Sequence, residues 1–369
     1  MLLPVPLEYL LGLLLWIAAL GGAFVVLLRA RRRRRGISAR LRLVNLGLSV
    51  WMGLALVTAC EVGFAFFVDR SDAFNTTNIA RRWTSLHIDG ERNAMSFRDS
   101  REFEKSIPAG TRRLCFVGDS FTMGHGIVNM ADRFSDRVAA ELQSEHPGKY
   151  LVANIADLGL EVAQVEGRVG AILKEGYDVD LVIYVICLND IEYYADRMSQ
   201  PNSAATKQHE QRKTAKPFFL ISETYFLNWM YFRVLQVADT QTRGYYNRLK
   251  DAYDSPAWEP FRSHLDQLNA SCRAHNAELR IVVFPFLHNL GPDYPFLSAH
   301  AKIVEYCKQK NVRVLDLEPV LREHVGERLT VNAFDAHPNE RAHAIAAEAI
   351  MKNLLADLTS DSQSPEAPK

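Results

Sequence analysis

Residues 112–126 read RRLCFVGDSFTMGHG, an apolar run that ends in a glycine-rich turn carrying Ser120 between Asp119 and Phe121. A serine just past a buried strand presents its hydroxyl at the carboxyl edge of a sheet, where parallel α/β proteins gather their ligand sites. A hydroxyl becomes a nucleophile when a histidine takes its proton, and the histidine works best when a carboxylate holds its other ring nitrogen. Near the end of the folded region stands FDAHPNERAH, in which Asp335 lies two residues before His337 and Pro338 occupies a helix-start position. In a turn, that spacing lets the carboxylate reach Nδ1–H and leaves Nε2 to accept a proton. The chemistry of such a set is covalent acyl transfer. His125, five residues beyond the serine, is the competing base, but it has no carboxylate at a fixed short spacing.

Two further positions join these. Asn189 and Asp190 stand in CLNDI, and Gly159 stands in NIADLGLEV. Each of these residues, like Gly118-Asp119-Ser120, is an ordinary turn former when taken alone. The glycine-rich turn matches neither G-x-x-x-x-G-K-[ST] nor G-x-G-x-x-G nor G-x-S-x-G, so phosphate-loop, dinucleotide and nucleophile-elbow readings are set aside. The five cysteines show no metal spacing. His337 and His343 are six residues apart, which does not place them on one helix face, so no metal and no cofactor are expected.

The elements that must position these residues follow from hydrophobic patterning. Five continuous apolar runs of strand length occur at about 113–118, 150–156, 180–188, 279–286 and 312–317. Continuous rather than alternating runs mark strands buried on both faces. Helical patterns lie between them at about 131–144, 161–174, 258–276 and 297–310, with a last one at 338–357, which is the rhythm of a parallel sheet covered by helices. Ser120, Gly159 and Asn189 each follow a strand, and His337 precedes the last helix. All of them therefore converge on one edge.

Placed in this order, the blocks GDSFTMG, NIADLGLEVAQ, LND and DAHPN resemble the four blocks of the SGNH, or GDSL-like, hydrolases over roughly residues 112–355. The resemblance implies a three-layer α/β/α fold with a five-stranded parallel, flavodoxin-like sheet. It also implies Ser120 as nucleophile, His337 as base oriented by Asp335, and an oxyanion hole formed by the Ser120 and Gly159 N–H groups and the Asn189 side chain. Asp119 and Asp190 are expected in support. Two departures stand out: Cys187 occupies the place where the third block commonly has glycine, and one residue rather than two separates Asp335 from His337. The shorter spacing also resembles that of bacterial polysaccharide-acetylating relatives. Upstream, RNAMSFRD is similar to a stretch that precedes the first block in membrane-anchored bacterial members.

Ahead of this domain lie two apolar segments. Tyr9 to Leu28 contains 20 consecutive uncharged residues, enough at ~1.5 Å per residue to cross a ~30 Å hydrocarbon layer. A second uncharged run, Leu43 to Cys60, continues past Glu61 to Val68. Transmembrane helices are expected at about 7–28 and 43–68, with Glu61 read as an interfacial residue near the outer end. The first segment has no basic n-region, which favours an uncleaved anchor over a signal peptide. The loop 29–42 carries eight arginines, and such short loops are retained on the cytoplasmic side. Everything after about Asp69 is then extracytoplasmic, in the periplasm or outside the cell. Lysine plus arginine and aspartate plus glutamate both number 43, so net charge gives no support for a nucleic-acid partner.

The expected organisation is an anchor (1–69), a juxtamembrane connector (70–110), the hydrolase-like domain (111–357) with a long insertion at about 191–256, and a disordered tail (358–369). The insertion turns strongly aromatic at 217–235, as a core helix or as a lid over the site. Cys272 and Cys307 are candidates for pairing. The function these features support is a membrane-anchored esterase or O-acyltransferase acting on acetyl groups of an envelope or exported polysaccharide. A lipid-ester hydrolase is the alternative within the same chemistry, and a non-catalytic glycan-binding or assembly module is the alternative outside it.

Overall fold

The computed structural model describes residues 3–33, 39–198, 218–238 and 240–360. The chain forms two units, Met1–Thr84 with Gln211–Asp239, and Ser85–Glu210 with Thr240–Lys369.

The second unit is built on strands β1 (Arg112–Gly118), β2 (Tyr150–Asn154), β3 (Leu181–Cys187), β4 (Glu278–Phe284) and β5 (Arg313–Asp316). All pair in parallel, in the order β2-β1-β3-β4-β5. This is the doubly wound flavodoxin-like order, and its switch point lies between β1 and β3. β3 is buried along its whole length, so both sheet faces are covered, as its continuous apolar sequence demands. The helices Val162–Lys174 and Trp258–Ala274 pack on one another, as do Phe134–Glu145 and Glu340–Ala349.

After β5 the chain adds an antiparallel hairpin, β6 (Thr330–Asn332) and β7 (Asp335–Pro338). The stretch read as a turn running into a helix at Pro338 is thus a strand. Pro338 ends it, and Asn339 caps the last helix by accepting from the Arg341 and Ala342 N–H groups. That helix runs from Glu340 to Ala349 and continues through a π-helical turn, Ile350–Leu354, into Ala356–Ser360. The first residues of the expected tail are therefore helical, and 361–369 lie outside the described residues. All five cysteines are free, and Cys272 and Cys307 are buried without pairing.

The division of the chain differs from the expected one at two places. Residues from Ser85 onward belong to the second unit, so the 70–110 stretch is not a connector along its whole length. Its polarity hid this: Arg98 is fully buried, because every part of its guanidinium has an acceptor. The insertion is also divided. Helix Thr240–Tyr253 places Leu249, Ala252 and Tyr253 in the main core, whereas 218–238 belongs to the first unit. The polar part, 199–217, lies outside the described residues.

The first unit contains helices Leu7–Arg32 and Ala39–Phe67, both long and apolar enough to cross a membrane. They pack along their lengths, with Phe24 stacked on Trp51 at 4.3 Å and the Trp51 indole N–H donating to the Leu20 carbonyl. Arg34 and Arg35, in the arginine loop, lie outside the described residues. Glu61, read as interfacial, is 6% exposed within the protein. It accepts from the Tyr9 hydroxyl at 2.5 Å and from the Tyr225 and Phe226 N–H groups at 2.7 and 2.8 Å. Three donors offset the cost of holding a carboxylate away from water.

Candidate active site

The site is assembled at the carboxyl ends of β1, β2 and β3, with one further contribution from the hairpin. β1 ends at Gly118, where a Cβ atom would lie 2.4 Å from the Thr122 hydroxyl and 2.6 Å from the Val185 carbonyl. Only glycine lets the chain turn this close to β3. Asp119 then caps the single helical turn Ser120–Met123 by accepting from the Phe121 N–H, and Gly124 ends the turn in the left-handed conformation. The turn raises Ser120 at the sheet edge.

His337 and Asp335 are brought to it by β7. Residues two apart in a strand share a face, which is why an Asp-x-His spacing serves here without a turn. Asp335 Oδ1 lies 2.5 Å from His337 Nδ1 and also accepts from the His337 backbone N–H. On its other side, His337 Nε2 lies 2.7 Å from the Ser120 hydroxyl. Asp335 and His337 are both buried, so the carboxylate acts on the imidazole with little competition from water. Phe121 packs edge-on against the His337 ring and restricts its rotation.

His125 is placed differently from the competing base that its sequence position allowed. Its Nε2 faces Asp335 Oδ2 at 3.6 Å, and its ring centre is 4.6 Å from that of His337. It meets Ser120 through the backbone, where the His125 N–H donates to the Ser120 carbonyl. Asp335 thus stands between two histidines, of which His337 is the one hydrogen-bonded to the serine hydroxyl. The ligating atoms of His125, Asp335 and His337 lie within 4.8 Å of one another, close enough to hold a metal ion. Both His337 ring nitrogens already make hydrogen bonds in this arrangement, so a metal would have to break one of them.

Gly159 follows β2 with a φ of +64°, a conformation that glycine adopts without strain. Its loop is tied to the serine loop by the Asp157 N–H, which donates to the Gly118 carbonyl. Burial works to raise the Asp157 carboxyl, yet hydrogen bonding from Arg92 and from the Leu158 N–H, with the charges of Arg92 and Arg168, holds it below the usual range. Asn189 follows β3 and, with Cys187, lies beside the buried Asp119 carboxylate. Burial raises the Cys187 pKa well above that of an ordinary thiol, so the thiol keeps its proton.

Asp190 is fully buried, and the Tyr184 hydroxyl donates to it at 2.6 Å. Burial, then the charge of Asp119, pushes its carboxyl well above the ordinary range, and burial likewise raises Asp119. Two carboxyls packed together out of water favour the protonated form of at least one.

Two residues that sequence reasoning did not single out complete the frame. Arg98 donates to Glu91 at 2.9 Å, to the Gly124 carbonyl at 2.8 Å and to the Ile127 carbonyl at 2.7 Å, fixing the loop that follows Ser120. Arg92 reaches Asp157 at 3.0 Å. Both belong to the RNAMSFRD region. The similarity of that stretch to membrane-anchored members was the signal for them, but no pattern within it named the arginines.

A family model for the GDSL-like lipase/acylhydrolase family matches residues 116–345. The chain belongs to this family, and it is an ester hydrolase of the SGNH type. No match is found among curated protein sequences. Similar solved structures include TesA, 17% identical with a TM-score of 0.41 over 66% of this chain and 98% of that one. A psychrotrophic esterase, EstA from Pseudoalteromonas sp., is 12% identical with a TM-score of 0.40 over 68% and 100%. The acetylxylan esterase Axe2 from Geobacillus stearothermophilus, as a catalytic mutant, is 13% identical with a TM-score of 0.41 over 67% and 96%.

Proposed function

We propose that this chain is a membrane-anchored serine esterase or acyltransferase, held by its two N-terminal helices with the sheet-bearing unit on the outer side. Its substrates are O-acetyl groups of an envelope or exported polysaccharide. The observation that carries the chemistry is the unbroken hydrogen-bonded line from Asp335 through His337 to the Ser120 hydroxyl. Ser120 Oγ attacks the ester carbonyl carbon as its proton passes to His337 Nε2, and Asp335 stabilises the imidazolium. The Ser120 and Gly159 N–H groups and the Asn189 side chain receive the developing oxyanion. His337 then gives the proton to the leaving alcohol, and water or a sugar hydroxyl releases the acyl group from Ser120.

Membrane anchoring draws support from the length and apolar character of the two helices, and outward orientation from the arginine loop between them. Acetylated glycan as substrate draws support from the one-residue Asp335–His337 spacing and from what an outward-facing domain meets. The lipid-ester alternative rested on residues 217–235 forming a lid. The described part of that segment packs Phe226 and Trp229 against Phe64 of the second apolar helix.

A screen of the full chain on acetylated glycans and on long-chain acyl esters tests the reading. Faster turnover of acetyl esters is expected, and a preference for long chains would replace the substrate class. No turnover of any ester would return the fold to a binding role. Asn189→Ala is expected to slow turnover by roughly 10² to 10³ without unfolding the protein, the usual cost of one oxyanion donor. An unchanged rate removes Asn189 from the oxyanion hole.

A further inference from the structure

The first unit contains more than two apolar helices. Residues 218–238 form a short turn of helix, Phe219–Ser222, followed by the helix Phe226–Ala238. Their inner side is fixed to the second long helix. Tyr225, Ala65 and Ile79 form a small core with Phe64, Phe66 and Trp229 packed around it. Arg82 donates to the carbonyls of Ala65 and Val68 and lies over the Tyr225 ring at 4.5 Å. Asn228 accepts from the Asn78 N–H.

The outer side is apolar and exposed: Phe218 64%, Phe219 61%, Leu220 47%, Met230 43%, Val234 63% and Leu235 41%. Met230 and Val234 are four residues apart, so they share one helix face. That face is continuous in kind with the two long helices, whose own large apolar residues are exposed in the same way, as at Leu15 and Leu56. The element is tied to them by Glu61, whose carboxylate receives the Tyr225 and Phe226 N–H groups at the start of the helix. Glu61 lies six residues before the end of its helix at Phe67, a depth of about 9 Å at ~1.5 Å per residue. A carboxylate at such a depth in an apolar span is costly unless it has partners. Here its partners are Tyr9 and this segment.

We propose that residues 218–235 form a third lipid-contacting element, seated in the outer leaflet at the boundary of headgroups and acyl chains and docked on Glu61. The occupant of its exposed face is the bilayer itself. An apolar face of this kind enters the headgroup–acyl boundary by ~5–10 Å, a depth comparable to that of Glu61. The segment then ties an insertion of the hydrolase sequence to the anchor at a second place, beyond the direct connection at residues 68–84. This inference rests on the reading of the two long helices as membrane spans.

The test uses the full chain in phosphatidylcholine–phosphatidylglycerol vesicles, with p-benzoylphenylalanine placed singly at Phe219, Val234, Leu56 or Val128. Leu56 is 67% exposed on the second long helix, and Val128 is 48% exposed on the sheet-bearing unit. On irradiation, lipid adducts are expected at 219 and 234 as at 56, with none at 128. Lipid adducts at 56 but not at 219 and 234 overturn the proposal, and so do protein–protein adducts at 219 and 234, which would mark a second copy as the occupant. Absence of lipid adducts at 56 overturns the membrane-span reading, and this inference with it. Glu61→Ala should lower the yield at 219 and 234 while leaving that at 56. An unchanged yield removes Glu61 as the docking point.

Discussion

Ser120→Ala will lower ester turnover by on the order of 10⁶-fold, the scale seen when a triad nucleophile alone is removed. The variant will also lose labelling by a serine-directed phosphonate. The size of the loss follows from the geometry: Ser120 Oγ is the atom that His337 Nε2 approaches at 2.7 Å, and alanine leaves that base nothing to activate. The fold should be little affected. The serine side chain is only part-buried, its turn is held by the Asp119 cap on the Phe121 N–H, and Arg98 secures the following loop through main-chain carbonyls. Circular dichroism and thermal unfolding of the variant should match the parent. Turnover that survives the substitution, or labelling that persists, would show that Ser120 is not the nucleophile.

The second large effect separates two histidines that the sequence leaves as rivals. His337→Ala is expected to cost nearly as much as the serine substitution, because residues that act as a unit fail together. Combining it with Ser120→Ala should add little. His125→Ala is expected to cost about tenfold or less, the scale of a single hydrogen bond or polar contact. Its Nε2 faces the second oxygen of Asp335, so its removal loosens the carboxylate without removing a proton acceptor. Steady-state rates of the three variants on one acetyl ester decide the matter. If His125→Ala were inactive and His337→Ala active, the roles would be exchanged.

How far the chain was legible differs from one residue to the next. The sheet was legible because its strands are continuous apolar runs, and β3 proves to be buried from end to end. The places of Ser120, Gly159 and Asn189 after strands were legible because each follows such a run. His337 and Asp335 were identified correctly as neighbours of each other, yet their local structure was misread. Pro338 after a histidine looks like a helix start, whereas it ends a short strand paired with Thr330. A three-residue partner strand leaves no periodic signal of its own.

Charged and polar residues with buried roles were the least legible. Arg98 sits in a stretch whose composition reads as solvated linker, and it is buried because Glu91 and two carbonyls from residues 26 and 29 positions further along receive its donors. Cys187 read as a departure from the family pattern, and its side chain proves to be fully buried at the end of β3. Glu61 read as an interfacial charge, and its acceptor sites are filled by residues 52, 164 and 165 positions away. No local pattern encodes partners at such separations.

The sequence by itself determined the parallel α/β sheet, the two apolar helices and the GDSL-like ester-hydrolase family. Periodicity, composition and short spacings are local properties, and these features depend on them. Only the tertiary structure decided which histidine meets the serine, what Arg98 does beside it, and that the aromatic segment attaches to the second apolar helix through Glu61. Those outcomes depend on which donors and acceptors are brought within about 3 Å of one another when the chain closes on itself.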